Sequence, residues 1–280
     1  MREISTKDIT AAVRKLCIDA NYYVNEDIKK RLIDSYNNEP WPIAKDILEK
    51  IIKNDEIAAA EDMPMCQDTG MACVFIEIGQ EVHITGGKLE DAVNEGVKEG
   101  YSDGYLRKSV VKDPLRRVNT GDNTPALIYY NVVQGDKLKI VVAPKGFGSE
   151  NMSQIKMLKP SDGEEGVKSF VIETVKQAGP NPCPPIVVGV GIGGSFDKSA
   201  YLAKKALTRS TDIRNEDSFY ENMEKELLER INALGIGPSG FGGRTTALAV
   251  NIEVLPTHIA GLPVAVNINC HATRHAEIIL

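Results

Sequence analysis

Apolar residues in the first part of the chain recur at helical spacing. The first such stripe consists of Ile9, Val13, Leu16, Cys17 and Ala20. It follows Ser5, a residue type that caps helix N-termini, and Asp8 stands three positions further on. Two more amphipathic stretches lie at 28–36 and 43–52. We therefore predict three packing helices within residues 1–60.

Beyond residue 60 the pattern changes to short apolar runs between glycine, proline and polar residues. These runs predict strands at 73–78, 126–133, 138–143, 186–190, 246–254 and 264–268. Helical spacing returns at 167–177, 198–207 and 216–234. The segment QGD at 134–136 joins two of the strand-like runs and predicts a hairpin. The expected fold is α/β: a single domain over residues 1–280, with a mixed β-sheet part at 61–280 and a helical N-terminal cover at 1–60.

Composition narrows the classes of function. The chain has 280 residues, 42% of them hydrophobic and 26% charged, with a formal net charge of -6. Basic residues are scattered, so nothing attracts the chain to nucleic acid or to an anionic membrane. The charged N-terminus is unlike a secretory signal, and no apolar run approaches the roughly 18 residues of a membrane span. We expect a cytoplasmic protein that acts on a small molecule.

The cysteines fall into two groups by their setting. Cys17 and Cys73 lie on apolar faces, where packing explains them. Cys66, Cys183 and Cys270 each stand at a predicted junction between a loop and a strand, where ligands can converge. Their wide separation matches no local zinc or ferredoxin pattern. From spacing alone, three structural thiols are the favoured interpretation, with metal ligation as the alternative.

A glycine motif raises the possibility of a dinucleotide site. The segment GVGIGG at 189–194 fits the G-x-G-x-x-G pattern between a strand and a helix. The same pattern recurs from Gly235 to Gly240, where a helix precedes it and Pro238 removes an amide donor. The acidic residue expected about 20 positions further on could only be Asp212, which lies in a polar stretch. We therefore favour the interpretation that these glycines form tight turns around another anionic group. The alternative, that the chain is a dinucleotide-dependent oxidoreductase, is less favoured.

Several motifs stand in a fixed order along nearly the whole chain. They are MCQDTG at 65–70, KGFGSEN at 145–151, CPP at 183–185 with GVGIGG at 189–194, GPSGFGGRTTAL at 237–248, and NINC at 267–270 followed by Arg274. Together they resemble the alpha subunit, or N-terminal half, of the class I iron-sulfur fumarases and L-tartrate dehydratases. Several independent motifs are far more specific than one glycine pattern.

The resemblance implies that Cys66, Cys183 and Cys270 ligate a 4Fe-4S cluster, which replaces the interpretation from spacing. Three cysteines on four irons leave one iron open. An open iron is a Lewis acid, and by binding the hydroxyl and carboxylate of a small hydroxy-acid it assists loss of hydroxide. The implied activity is that of a hydro-lyase.

The resemblance also assigns residues around the cluster. Gln67 and Asp68 accompany the first cysteine as substrate-binding residues, and Arg107 falls where an arginine binds a substrate carboxylate. Gly148 matches a glycine whose main-chain amide faces the substrate, and His258 matches a histidine in the pocket. Asp68 and His258 are the implied catalytic residues.

Each of these assignments has a structural alternative. Arg107 could form a surface ion pair, and Gly148 could serve a turn while neighbouring Gly146 takes the role at the substrate. His258 could be a packed or capping imidazole.

The family further implies a beta subunit, which supplies more basic residues for carboxylate binding and the base at C3. The expected assembly is a heterotetramer acting on a small dicarboxylate, without nucleic acid or membrane. Interconversion of L-malate and fumarate is the leading expectation, and dehydration of L-tartrate to oxaloacetate is the second. A non-catalytic iron-sulfur carrier is the alternative from another class.

Overall fold

The computed structural model describes residues 1–280. Its contacts divide the chain into two compact units. The first unit comprises Met1–Val24, Asn54–Gly146 and Arg274–Leu280, and the second comprises Asn25–Lys53 and Phe147–Thr273. The single domain over residues 1–280 stays a prediction. None of the helices is both long enough and apolar enough to cross a membrane.

Helices and strands alternate along the chain. In order they are β1 (Arg2–Ser5), α1 (Thr6–Tyr22), α2 (Glu26–Asn38), α3 (Pro42–Ala60), β2 (Met71–Gly79), β3 (Val82–Thr85), α4 (Leu89–Asp103), β4 (Leu127–Val133), β5 (Leu138–Lys145), α5 (Phe147–Glu150), β6 (Gln154–Leu158), α6 (Gly163–Ala178), β7 (Ile186–Gly193), α7 (Phe196–Ala206), α8 (Ser218–Asn232), β8 (Ala247–Leu255), β9 (Leu262–Asn269) and β10 (Ala276–Ile279). The predicted helices and strands are confirmed. The sequence patterns missed α4, the short α5, and the strands β1, β3, β6 and β10.

The first unit is built on a four-stranded sheet in the order β10-β5-β2-β4. Strand β2 pairs parallel with β4 and antiparallel with β5. Helices α1 and α4 contribute to the core on one face of this sheet, together with Val74, Ile76 and Ile140. The predicted cap of α1 is confirmed, because Ser5 Oγ accepts a hydrogen bond from Asp8 N at 3.2 Å. A small parallel pair, β1 with β3, completes the unit.

The predicted hairpin at 126–143 is wrong. Strands β4 and β5 do not pair with each other, because β2 lies between them. The connection at 134–137 instead arches over the end of β2, where Gly79 N donates to Lys137 O at 2.9 Å. A side chain at Gly79 would stand 2.3 Å from Gly135 O, so the arch requires glycine there. Most residues of β2 are buried, as expected for a strand that lies inside the sheet with a neighbour on each side.

The second unit is built on another four-stranded sheet, in the order β6-β9-β7-β8. Strand β7 is buried along its full length and pairs parallel with β8 and antiparallel with β9. Helices α6 and α8 supply Val171, Leu227 and Ile231 to its core. Both sheets contain parallel and antiparallel pairs, so the predicted α/β fold with mixed sheets and helices at the N-terminus is confirmed.

The first two glycines of the motif at 189–194 allow α7 to pack closely against β7. Gly189 and Gly191 lie inside β7, and a Cβ on either would stand 2.1 Å from a main-chain oxygen of α7. The interpretation of this motif as tight turns around an anion is therefore wrong for these two positions. Gly193 and Gly194 have φ angles of 90° and 65°, which fit a tight turn, and an anion beside them stays a prediction. The glycines bring α7 close to the strand, which explains them without a nucleotide.

Candidate functional site

In the first unit, the candidate site residues gather around the segment 65–70, which we call the Cys66 loop. It follows α3 and enters β2, as predicted. Both main-chain polar groups of Met65 are hydrogen-bonded. Its N donates to Asn21 O at 3.0 Å, and its O accepts from Asn54 Nδ2 at 2.8 Å. Cys66 is half-buried and Gln67 is exposed. The thiol and the neighbouring amide are therefore accessible while their backbone is held.

Asp68 lies at a turn of the same loop. Its Oδ1 accepts from Gly70 N at 3.0 Å, and its main-chain oxygen accepts from Nη2 of Arg274. Gly70 has a φ of 71°, and a Cβ there would stand 2.5 Å from the carbonyl carbon of Lys145. A Cβ on Gly146 would lie 3.2 Å from Asp68 Oδ2. The end of β5 thus borders the carboxylate, and glycine is required where the two backbones approach.

Arg107 belongs to the same group of residues. Its main-chain oxygen accepts a hydrogen bond from Thr69 Oγ1 at 3.0 Å, so its backbone lies beside the Cys66 loop. The guanidinium is exposed and forms no ion pair. The surface ion pair considered for Arg107 is therefore absent. An exposed guanidinium without an ion-pair partner is suited to an anionic ligand.

In the second unit, Cys183 and Cys270 lie at one end of the sheet. Cys183 lies three residues before the start of β7 and Cys270 directly follows β9, and these strands are antiparallel neighbours. His271 N donates to Cys183 O at 3.1 Å, which joins the two segments. Cys183 has a φ of 54°, a left-handed conformation that residues with a side chain rarely adopt. Such backbone strain is concentrated at functional sites.

Gly148 lies near the segment of Cys183. A Cβ on Gly148 would meet only Asn181 O, at 4.0 Å, so the space beside it is open. The short helix that carries Gly148 is anchored by Glu150, whose carboxylate binds Lys204 Nζ at 2.6 Å and Asn267 Nδ2 at 2.7 Å. Gly146, the alternative considered for this role, belongs to the first unit instead.

The structure does not bring His258 to the same end of the sheet. It lies in the connection from β8 to β9, and both registers place that connection beyond the last residue of β7. The eight residues of β7 span roughly 25 Å at about 3.3 Å per residue. The imidazole is exposed, and its Nδ1 accepts from Ala260 N at 3.1 Å. This turn-capping contact matches the structural alternative for His258.

The five thiols differ in their fitness as ligands. Cys17 and Cys73 are buried in the sheet and helix core, and burial raises the pKa of Cys17 to about 12. A thiol so reluctant to ionise is a poor ligand. Cys66, Cys183 and Cys270 are exposed or half-buried at ends of strands. As their side chains stand, no group of three or more histidine, cysteine, aspartate or glutamate residues has the geometry of a metal site. Each of these three thiols is accessible and is the donor type that iron-sulfur clusters use.

Sequence reasoning missed three buried polar residues of the first unit and gave no role to a fourth. The three are Asp55, Tyr101 and Asn123, and the fourth is Arg274, which was named only as part of the last motif. Asp55 carried a detectable signal, because it continues the apolar stripe of α3 formed by Leu48, Ile51 and Ala58. A carboxylate on a buried stripe needs an explanation.

Comparison with known proteins gives the class. The family model of fumarate hydratase (Fumerase) matches residues 10–279. The "Putative L(+)-tartrate dehydratase subunit alpha" of Methanocaldococcus jannaschii is 46% identical over 274 residues, 96% of this chain and 96% of the relative. The L(+)-tartrate dehydratase subunit alpha of Escherichia coli (strain K12) is 32% identical over 259 residues, 91% of this chain and 85% of the relative. The protein is a hydro-lyase.

More narrowly, the chain belongs to the fumarate hydratase family. The resemblance inferred from its motifs is therefore confirmed. Because the family consists of hydro-lyases, a non-catalytic carrier and a dinucleotide-dependent oxidoreductase lose their support.

Proposed function

We propose that the chain is the alpha subunit of a two-subunit hydro-lyase that interconverts L-malate and fumarate, with a 4Fe-4S cluster held by Cys66, Cys183 and Cys270. The observation that carries the proposal is the pairing of the Cys183 and Cys270 segments at one sheet end, with Cys183 exposed in a strained conformation. When bound, such a cluster supplies a Lewis-acidic iron for the substrate's hydroxyl.

The other residues have separate tasks in this proposal. Arg107 binds a substrate carboxylate through its exposed guanidinium, in a bidentate contact that lysine cannot reproduce. Gln67 and Asp68 orient the hydroxyl at C2, and the Asp68 carboxylate holds the proton near the departing oxygen. Gly148 offers its main-chain amide in the open space beside Asn181. These groups serve the leaving-group side of the substrate.

The proposed roles of His258 in catalysis and substrate binding rest on the family motif. Its place beyond the end of β7 separates it from Cys183 and Cys270 within the second unit. His258→Ala in the assembled enzyme tests these roles: a retained kcat/KM leaves His258 as a turn cap.

A beta subunit completes the proposed enzyme. Both relatives described above are named as alpha subunits. Trans elimination requires a base on the face opposite the hydroxyl, and the residues assigned here serve the hydroxyl side. We propose that the beta chain supplies the base and further carboxylate-binding groups in a cytoplasmic heterotetramer.

L-Tartrate is the second candidate substrate. The names of the relatives favour it, whereas the name of the family model favours fumarate. Both substrates are four-carbon dicarboxylates that differ at C3. A single contact to a C3 hydroxyl therefore decides between them.

The test is anaerobic co-expression with candidate beta chains, followed by assays on L-malate, fumarate and both tartrate enantiomers. We expect the highest kcat/KM with malate and fumarate. A higher kcat/KM with L(+)-tartrate assigns the second candidate, and no turnover of any of these acids by an iron-replete complex contradicts the proposal.

A further inference from the structure

The Cys66 loop is held through its carbonyl oxygens. Four side chains from separate parts of the first unit donate to them. The contacts are Asn54 Nδ2 to Met65 O at 2.8 Å, Arg274 Nη2 to Asp68 O, Tyr101 OH to Thr69 O at 2.7 Å, and Asn123 Nδ2 to Gly70 O at 3.1 Å. With its carbonyls fixed in this way, the loop has little freedom to reorient its side chains.

Arg274 stands apart among these donors because it is charged. Only 4% of the residue is exposed, and its Nε and Nη1 are buried without any hydrogen-bond partner. Burying a guanidinium costs several kcal/mol unless its charge is balanced and its donors are used. Packing alone would be served better by an apolar residue. The one hydrogen bond that the buried guanidinium forms is the bond to the main-chain oxygen of Asp68.

Asp55 supplies the opposite charge. It is 6% exposed, and neither carboxylate oxygen has a hydrogen-bond partner. Burial raises the pKa of Asp55 to about 6, while the Asn54 side chain and the Arg274 charge lower it and the Glu56 charge raises it. No ion pair joins Asp55 to Arg274 within 4.0 Å, so the two interact at longer range through a medium of low polarity.

We propose that Arg274 is a positioning residue, which sets the Cys66 loop by holding the main chain of Asp68 while buried Asp55 balances its charge. The arrangement holds the main chain at Met65 and at Asp68, on either side of Cys66, and so limits how far the Cys66 side chain can reorient. The consequence for catalysis rests on the proposed function, whereas the positioning itself does not.

The test measures the rate at which iodoacetamide alkylates each cysteine in the cluster-free chain, followed by mass spectrometry. In Arg274→Met we expect Cys66 to react about tenfold faster, as loss of one hydrogen bond to a charged donor implies. The rates of Cys183 and Cys270 should stay unchanged. Arg274→Lys, which can still reach the oxygen with a charged donor, should restore most of the protection.

The matched control is Arg209→Met in the second unit. This substitution also leaves a buried carboxylate without its ion-pair partner, because Arg209 pairs with Glu224, which is 0% exposed. We expect it to lower stability without changing the rate at Cys66. An unchanged Cys66 rate in folded Arg274→Met, or an equal increase at all three cysteines, would overturn the proposal.

The role of Asp55 is tested by the double variant Asp55→Asn/Arg274→Met. It should regain part of the melting temperature that Arg274→Met loses, because no uncompensated buried charge remains. Its Cys66 should still react fast, and this variant serves if Arg274→Met does not fold. Additive losses of melting temperature would contradict the charge balance. Because the readouts need no cluster and no turnover, failure of the proposed function would leave them valid.

Discussion

The two units of the chain share one pattern of parallel and antiparallel strand pairing but carry different residues on it. In each, a central strand follows a cysteine-bearing segment: β2 follows Cys66, and β7 follows Cys183. Each central strand has a parallel neighbour at one edge, β4 or β8, and an antiparallel neighbour on its other side, β5 or β9. A fourth strand pairs antiparallel at the far edge of each sheet. The sequences show no repeat, so the pairing pattern alone relates the units.

The units differ in the residues at the exit of the antiparallel strand. After β9 comes Cys270, so the second unit presents two thiols at one sheet end. After β5 comes Gly146, which borders Asp68, so the first unit presents one thiol with a carboxylate and the exposed Arg107. In the proposed enzyme, the same scaffold therefore supplies mainly metal ligands in one unit and mainly substrate contacts in the other.

Replacing the proposed ligands should give the largest effect. In anaerobically prepared protein, Cys183→Ala or Cys270→Ala should lose most of the iron, and so should Cys66→Ala, because each removes one thiolate. The measurement is iron per chain together with the visible absorption of the cluster. Cys17→Ala and Cys73→Ala are the matched controls and should keep full iron. Iron loss in these controls alone would reverse the assignment.

Two glycines in the second unit should separate stability from activity. Gly191→Ala should cost about 3 kcal/mol or more, because a Cβ there would stand 2.1 Å from Ser199 O on the helix that covers β7. Gly148→Ala should keep the free energy of unfolding, since its nearest neighbour is 4.0 Å away, yet reduce kcat/KM. Urea unfolding and steady-state kinetics measure the two. Equal stability of both variants would contradict the packing role of Gly191.

Asp55 should give the first unit a pH dependence. Its pKa is about 6 in the folded chain, above the ordinary 3.8, so the folded state binds the proton more tightly than the unfolded state. Protonation of Asp55 therefore favours the folded state at low pH. The contribution of Asp55 to the free energy of unfolding falls by about 2 to 3 kcal/mol between about pH 4 and pH 7, and it does not change further above pH 7. The check is the difference in unfolding free energy between wild type and Asp55→Asn across that range. A flat difference would contradict it.

A smaller effect is expected at Arg107. Arg107→Lys should preserve fold and cluster and lower kcat/KM by about 10-fold to 150-fold, the equivalent of about 1.5 to 3 kcal/mol. The nearby exposed Arg116 provides a control, and Arg116→Lys should leave kcat/KM unchanged. If Arg107→Lys behaves like the control, Arg107 does not bind substrate.

Local patterns in the sequence predicted most elements because periodicity is a local property. Helices α1 to α3 and strands β2, β7 and β9 follow from apolar spacing and caps. The insertion of β2 between β4 and β5 could not be foreseen, because strand order depends on long-range pairing that a turn signal at 134–136 does not encode. The packing of α7 on Gly189 and Gly191 was hidden for the same reason.

The candidate site was predicted from motifs rather than from spacing. Cysteine spacing alone favoured three structural thiols, and only the ordered motifs pointed to ligands. The structure adds that a hydrogen bond from His271 N to Cys183 O joins the segments of Cys183 and Cys270. Asp55 and the role of Arg274 escaped notice because the two residues, and the Asp68 contact of Arg274, lie far apart in the sequence.

The most direct test of the central claim is steady-state hydration of fumarate by the isolated chain, prepared anaerobically with its iron quantified. We expect a full complement of cluster and negligible turnover, with activity appearing only after a beta subunit is added. Hydration by the isolated, iron-replete chain at the rate of the reconstituted complex would contradict the claim. The base would then have to lie within this sequence, and His258 would be the first residue to replace.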